Sequence, residues 1–496
     1  MKYLLALLLT LSFITFAQED PAPVAGGTVT VSIVADPPGW DPTKSTSAEI
    51  ARVMYNNVYE GLTTIAQDGT IQPRLAESWT TSEDGLEWTF TIREGVKFHD
   101  GTDLAIDDIV AAFARIKDPE SGFTNPDYFK NVESVTAGEG NTVVFTLTAP
   151  SSSLLYNLGR SDSIIYPAAK ADTQASEPIG TGPFRFAEYV VGSEVRLEKF
   201  EDYYVEGVPY LDAAVFRIIP DANATFAALQ AGDIDMIGVS VTPEVALQVE
   251  ADPNLKLVNE GSSTAEITMA LNNSNEILSN PLVRQAITHA IDKESIVQGA
   301  FNGLGVVIGT HATPAEPYFI DVNPYPYDPE RARELLAEAG YPDGFELRFE
   351  ATAEYPLERR AAEVIAQQLS EVGITANLEI IDFTTWLNRI FFGGDYDMTI
   401  IGHAEARDIS IYGNPEYYYK YNNPEIAVLL EQIEATPDEA GQMELYREIA
   451  TIIADDAVNV WVYAPSNLIA ARQDIYGFWT NAPTITIDMT GVYRAE

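Results

Sequence analysis

Between Trp79 and Gly101 the chain alternates apolar and polar residues in the way an extended strand uses. Trp88, Phe90 and Ile92 interleave with Glu87, Thr89, Thr91 and Arg93. A period of two puts the first set on one face and the second on the other. Glu94-Gly95 and Asp100-Gly101 supply turn residues on either side of a second short strand, Val96 to Phe98, and the segment is expected to form a β-hairpin. A chain of 496 residues is too long to close around one hydrophobic core, so this hairpin belongs to one of two or three domains. Hydrophobic content of 46% and 25 tyrosines fit a folded chain with large aromatic surfaces.

The first 17 residues read as an export signal. Lys2 gives the positive start, Leu4 to Phe16 the apolar run and Thr15-Phe16-Ala17 the cleavage site. No later run is long and apolar enough for a membrane helix. There is no cysteine, so disulfides, thiolate nucleophiles and zinc–thiolate sites are excluded. A formal net charge of −45 makes the surface repel nucleic acid and anionic lipid. The acidic residues are spread along the chain rather than run together, which reads as a solvated surface.

Six further segments have strong local signatures. Gly27 to Val34 alternates as a strand, and the three prolines of Asp36 to Pro42 force a loop. Ile50 to Tyr59 reads as a helix leading into Glu60-Gly61-Leu62. Pro178-Ile179-Gly180-Thr181-Gly182-Pro183-Phe184 is a tight connection into a strand. In Asn280 to Glu294, Asn280 caps, Pro281 occupies the first helical position, and Val283, Ala286, Ile287, Ala290 and Ile291 share a face. Asp328-Pro329-Glu330 starts a helix stopped by Gly340. Leu357 to Val372 is a helix stopped at Gly373, and Ile374, Ala376, Leu378 and Ile380 then alternate as a strand. Helix followed by strand, repeated, is the pattern of α/β layers.

The wording of these segments resembles the peptide/nickel family (family 5) of ABC-transporter extracytoplasmic solute-binding proteins. Gly95-Val96-Lys97-Phe98-His99-Asp100-Gly101, the Gly180-Thr181-Gly182-Pro183 element, Val283 to Glu294, and Tyr327 to Gly344 each match a family motif. The resemblance implies a two-lobed periplasmic binding protein type II-like α/β fold with an additional β-rich inserted domain. Lobe one is expected from residues 18–55, 178–262 and 465–496, the insertion from 56–177 and lobe two from 263–464. It implies capture of peptides, oligopeptides foremost, for delivery to the transmembrane subunits of an ABC permease. The protein is expected to be a periplasmic or secreted monomer with no cofactor and no metal. Relatives often carry a lipid-accepting cysteine, which this chain lacks. The same architecture carrying an oligosaccharide, opine or metal chelate is the alternative.

The family's ligand anchor is an aspartate beyond the strand that here spans Tyr396 to Ile401. In peptide-binding members it holds the α-ammonium group. Asp408 and Glu405 compete for that role in this chain, because a carboxylate facing an ammonium in a closing cleft makes charge-assisted hydrogen bonds. Arg407 either pairs with Asp408 or clamps a ligand carboxylate. His403 stands where relatives have tryptophan. Trp40, Trp386 and Tyr412 are candidate aromatic lining or core. Tyr355 lies in Ala353 to Leu357, where dipeptide-binding relatives place an arginine; its absence points to longer peptides or another solute. A secreted hydrolase is the distant alternative, since no Gly-x-Ser-x-Gly, phosphate-binding glycine loop or His-Glu-x-x-His occurs.

Overall fold

The structure is a computed structural model that describes residues 21–495 except 46, 240, 354, 405 and 437; the export signal and Glu405 therefore lie outside the described residues. Three sheets, each over its own core, organise the chain. A seven-stranded sheet runs in the order Leu255–Val258, Ile469–Arg472, Met236–Ile237, Thr28–Ile33, Ala213–Ile218, Glu194–Lys199, Phe184–Val190. Its middle strand, Thr28–Ile33, is parallel to both neighbours, and Val29, Val31 and Ile33 are fully buried. Thr28, Thr30 and Ser32 alternate with these three, as the sequence predicts, and Ser32 is buried as well.

A six-stranded mixed sheet runs Gly305–Val307, Val460–Pro465, Glu266–Leu271, Met398–His403, Phe345–Thr352, Ile374–Ile381. Phe345–Thr352 and Ile374–Ile381 pair in parallel across the helix Pro356–Glu371. Ile374–Ile381 is an edge strand, and its expected alternation fails at the end, where Ile380 is exposed and Ile381 buried.

The Trp79–Gly101 segment folds differently from the expected hairpin. Glu87–Ile92 buries Trp88, Phe90 and Ile92 as predicted, but its partners are Ala76–Thr81 and Thr142–Leu147 in a four-stranded antiparallel sheet. Val96 to Phe98 forms no strand; only Lys97 bridges, to Asp103. The turn that matters is upstream, where Ser82, Asp84 and Gly85 close the Ala76–Thr81 hairpin. The predicted helix Ile50 to Tyr59 also stops early, at Met54. Asn56 takes a left-handed φ of 63° and folds the chain back onto Tyr59.

The motif glycines let two segments pass at backbone distance. A side chain on Gly182 would put its Cβ 2.5 Å from the Asn57 carbonyl, and one on Gly180 would overlap the Val58 carbonyl. Thr181 between them donates to buried Glu60 at 2.7 Å. Glu60 also pairs with Arg74 at 2.6 Å and accepts from Tyr203 and Tyr204. His99 donates its backbone N–H to Gly180 and sets its Nε2 2.9 Å from the Gly182 carbonyl. Two widely separated motifs thus form one joint between the four-stranded and seven-stranded sheets. Arg284 is a staple of the same kind in the helix Pro281–His289, donating to the carbonyls of Leu278, Asp456 and Ala457.

Two extended segments, residues 259–265 and 465–468, connect the seven-stranded and six-stranded sheets. Ser262 and Ser466 bridge each other, Asn467 N–H donates to Gly261 at 2.8 Å, and Asn481 Oδ1 accepts from Ser262 N–H at 2.9 Å.

Candidate functional site

The three sheets leave a cavity of about 1240 Å³ between them. One wall is the connection itself, with Ser263, Thr264, Ala265 and Asn467. The segment Trp479 to Asp488 supplies a second wall. The four-stranded body contributes Tyr128, the Ser151–Ser153 turn, Tyr156 and Arg160, and the six-stranded body Ala404, Ala406 and Arg407. Many lining side chains are short, among them serines, threonines and alanines.

Arg407 is the one predicted site residue, among those described, that lines this cavity. It pairs with neither Asp408 nor an open ligand position. Its Nη2 donates to Glu439 at 2.8 Å and to the Gly69 carbonyl at 2.9 Å, and its guanidinium lies 4.6 Å over Tyr156. Ile71 N–H donates to the same Glu439, and Ser152 donates through N–H and Oγ to Glu434, each at 2.9 Å. The four-stranded body is thereby clasped to the far side of the cavity. Arg407 holds a φ of 59°, with its N–H on Glu316 at 3.0 Å. A left-handed conformation is costly for such a side chain and here is held by these contacts.

Asp408 stands behind the wall. Its carboxylate accepts from His311 Nε2 at 2.6 Å, while His311 Nδ1 meets Glu266 Oε1 at 2.6 Å. His311 is 3% exposed. Burial works against its imidazolium, but Glu266 and Asp408 on either side outweigh that and hold its pKa well above the ordinary value. Burial likewise opposes the Asp408 carboxylate, and the His311 charge overrides it and lowers the pKa. Glu316 beside this group is pushed up to about 7 by burial, against hydrogen bonds from Arg407 and Tyr318. Tyr412 packs on the imidazole at 5.1 Å.

The remaining predicted residues are placed elsewhere. His403 ends its strand buried between the hydroxyls of Tyr418 and Tyr419, at 2.8 and 2.9 Å. Trp40 is 5% exposed and packs on Phe186 and Tyr189. Trp386 is buried with its Nε1 on Thr399 Oγ1 at 2.9 Å. Tyr355 is surface-exposed against Phe383. These four and Tyr412 serve cores or surface and do not line the cavity. His311, Glu266, Glu316, Tyr128, Tyr156 and Arg160 were not singled out from the sequence. Glu266 carried a signal, as a carboxylate opening an otherwise apolar strand, Glu266–Leu271.

Residues 70–424 match the model of the bacterial extracellular solute-binding proteins, family 5. The chain is 31% identical over 492 residues to heme-binding protein A of Haemophilus influenzae, covering 89% of this chain and 88% of the relative. It superposes on the oligopeptide-binding protein AppA of Bacillus subtilis in complex with a nonapeptide, with a TM-score of 0.65, 26% identity and coverage of 96% and 100%. With the unliganded open form of the murein tripeptide binding protein MppA the TM-score is 0.86, with coverage of 96% and 99%, and the 18% identity speaks for the fold alone. No helix among the described residues is long and apolar enough to cross a membrane. Motif, fold and cavity agree: the chain belongs to the family 5 bacterial extracellular solute-binding proteins.

Proposed function

We propose that the protein captures peptides outside the cytoplasm, between two lobes, and hands them to the transmembrane subunits of an ABC importer. Lobe one is taken as residues 18–55, 178–262 and 465–496, the insertion as 56–177 and lobe two as 263–464. The first 17 residues act as an export signal, and the mature protein is a soluble periplasmic or secreted monomer. The cavity carries the reading. Its volume of about 1240 Å³ exceeds the roughly 300–1,000 Å³ of ordinary small-molecule pockets. Walls of serine, threonine and alanine backbone suit peptide units whose side chains vary. Closure about residues 259–265 and 465–468 follows from ligand binding both faces at once and so favouring the closed state. Native mass spectrometry of freshly purified protein is expected to release a ladder of short peptides. Release of a single non-peptide species would sink the peptide assignment.

Asp408 is engaged by His311, so the ligand's amino terminus needs another carboxylate. Glu405 is the candidate, since its neighbours Ala404 and Ala406 line the cavity. Glu405→Gln is expected to weaken binding of free-amine peptides by about tenfold, the scale of one charged hydrogen bond, and to leave their acetylated forms unchanged. Equal losses in calorimetry would remove Glu405 from the role.

A further inference from the structure

The cavity is far more basic than the molecule around it. The chain has 29 Lys and Arg against 74 Asp and Glu, yet the lining holds four of each: Arg52, Lys130, Arg160 and Arg407, with Asp127, Glu431, Glu434 and Asp488. Two of the cations are engaged, Arg407 by Glu439 and Gly69, and Arg52 by Glu49. Arg160 is held differently. Its guanidinium stacks 4.1 Å over the Tyr128 ring. Asp162 approaches only the Nε side, at 3.5 Å, and is itself fixed by Asn125 at 2.6 Å. Among the described residues no acceptor hydrogen-bonds Nε, and none reaches the terminal nitrogens. Tyr156 beside it is raised in pKa by burial, against the pull of Arg160 and Arg407, so the two guanidiniums share one neighbourhood.

A guanidinium stacked on an aromatic ring and backed by a carboxylate keeps one orientation. Its two terminal nitrogens form a fork that fits a planar carboxylate through two parallel hydrogen bonds. We propose that Arg160, oriented by Tyr128 and Asp162, is the receptor for the carboxylate terminus of the ligand, placed on the inserted domain. Lys130, which also lines the cavity and whose ammonium has no hydrogen-bond or ion-pair partner among the described residues, adds positive potential at the same wall. This assignment rests on the peptide reading. It supplies a counter-charge in a chain whose Ala353 to Leu357 stretch lacks an arginine.

The test compares a random tetrapeptide library, as free acids and as C-terminal amides, by affinity selection on wild type, Arg160→Gln and Arg160→Lys. Wild type is expected to retain the acids over the amides by about tenfold or more, the worth of a charge-assisted pair. Arg160→Gln is expected to bring that ratio to about one while retaining the amides as wild type does, which also shows that it is folded. Arg160→Lys should fall between, because an ammonium cannot form the fork. Acid preference kept in Arg160→Gln, or absent from wild type, overturns the carboxylate role and leaves the peptide reading standing. Retention of neither library by wild type overturns both.

Discussion

Replacing His311 with alanine will lower the stability of the six-stranded body by about 3–5 kcal/mol, the cost of removing one partner from a buried ionic group. The variant leaves Glu266 and Asp408 with no cation between them in a site where His311 is 3% exposed. The pH dependence gives the loss a signature. The folded pKa of His311 lies above its ordinary 6.5, so its contribution is present in full below pH 6.5 and lost as the pH rises through the folded value. The folded pKa of Asp408 lies below its ordinary 3.8, so its contribution is present above pH 3.8 and lost as the pH falls through the folded value. The gap between wild type and His311→Ala in thermal melts should therefore be widest from pH 3.8 to 6.5 and shrink toward both extremes. A gap independent of pH would mean that the histidine acts through packing alone. Asp408→Asn in the His311→Ala background should recover part of the loss, because one of the two facing charges is gone.

Gly180→Ala should cost about 3 kcal/mol by forcing a methyl group into the main chain at Val58, where neither segment has room to yield. The Val58 carbonyl accepts from Gly182 N–H and Thr181 is tied to Glu60, so a shift that relieves the clash breaks the joint as well. Gly299 provides the control. It lies within the helix Lys293–Phe301 with nothing within 4 Å of an added Cβ, and Gly299→Ala should gain about 0.4–1 kcal/mol. Hydrogen exchange would locate the loss in Gly180→Ala at the joint. Two variants with the same melting temperature would contradict this account.

Local chemistry was readable from the residues alone. Asn280 and Asp328 cap the helices that follow them, because a cap is decided within four residues. The burial of Trp88, Phe90 and Ile92 follows from a period of two. Pairing over distance was not readable. Glu87–Ile92 takes a partner more than 50 residues downstream, and its true hairpin turn competed with two others of equal quality. The His311 group joins positions 266, 311 and 408 on different elements, and nothing in their local sequence announces the meeting. The same limit applied to the site. The family resemblance offered Asp408 and Glu405 as acidic anchors, and it could not show that the Asp408 carboxylate meets His311.

The Arg407 clasp bears on how readily the molecule moves. The guanidinium gives up the Gly69 carbonyl and the face of Tyr156 together if the inserted body swings away, while Glu439, on the helix that leads into the six-stranded sheet, stays with it. Such a swing would pass through a state in which an ion pair is half rehydrated and no longer sheltered by the ring. Departures from this arrangement should then be abrupt and rare rather than gradual, a detent in the hinge instead of a free swing.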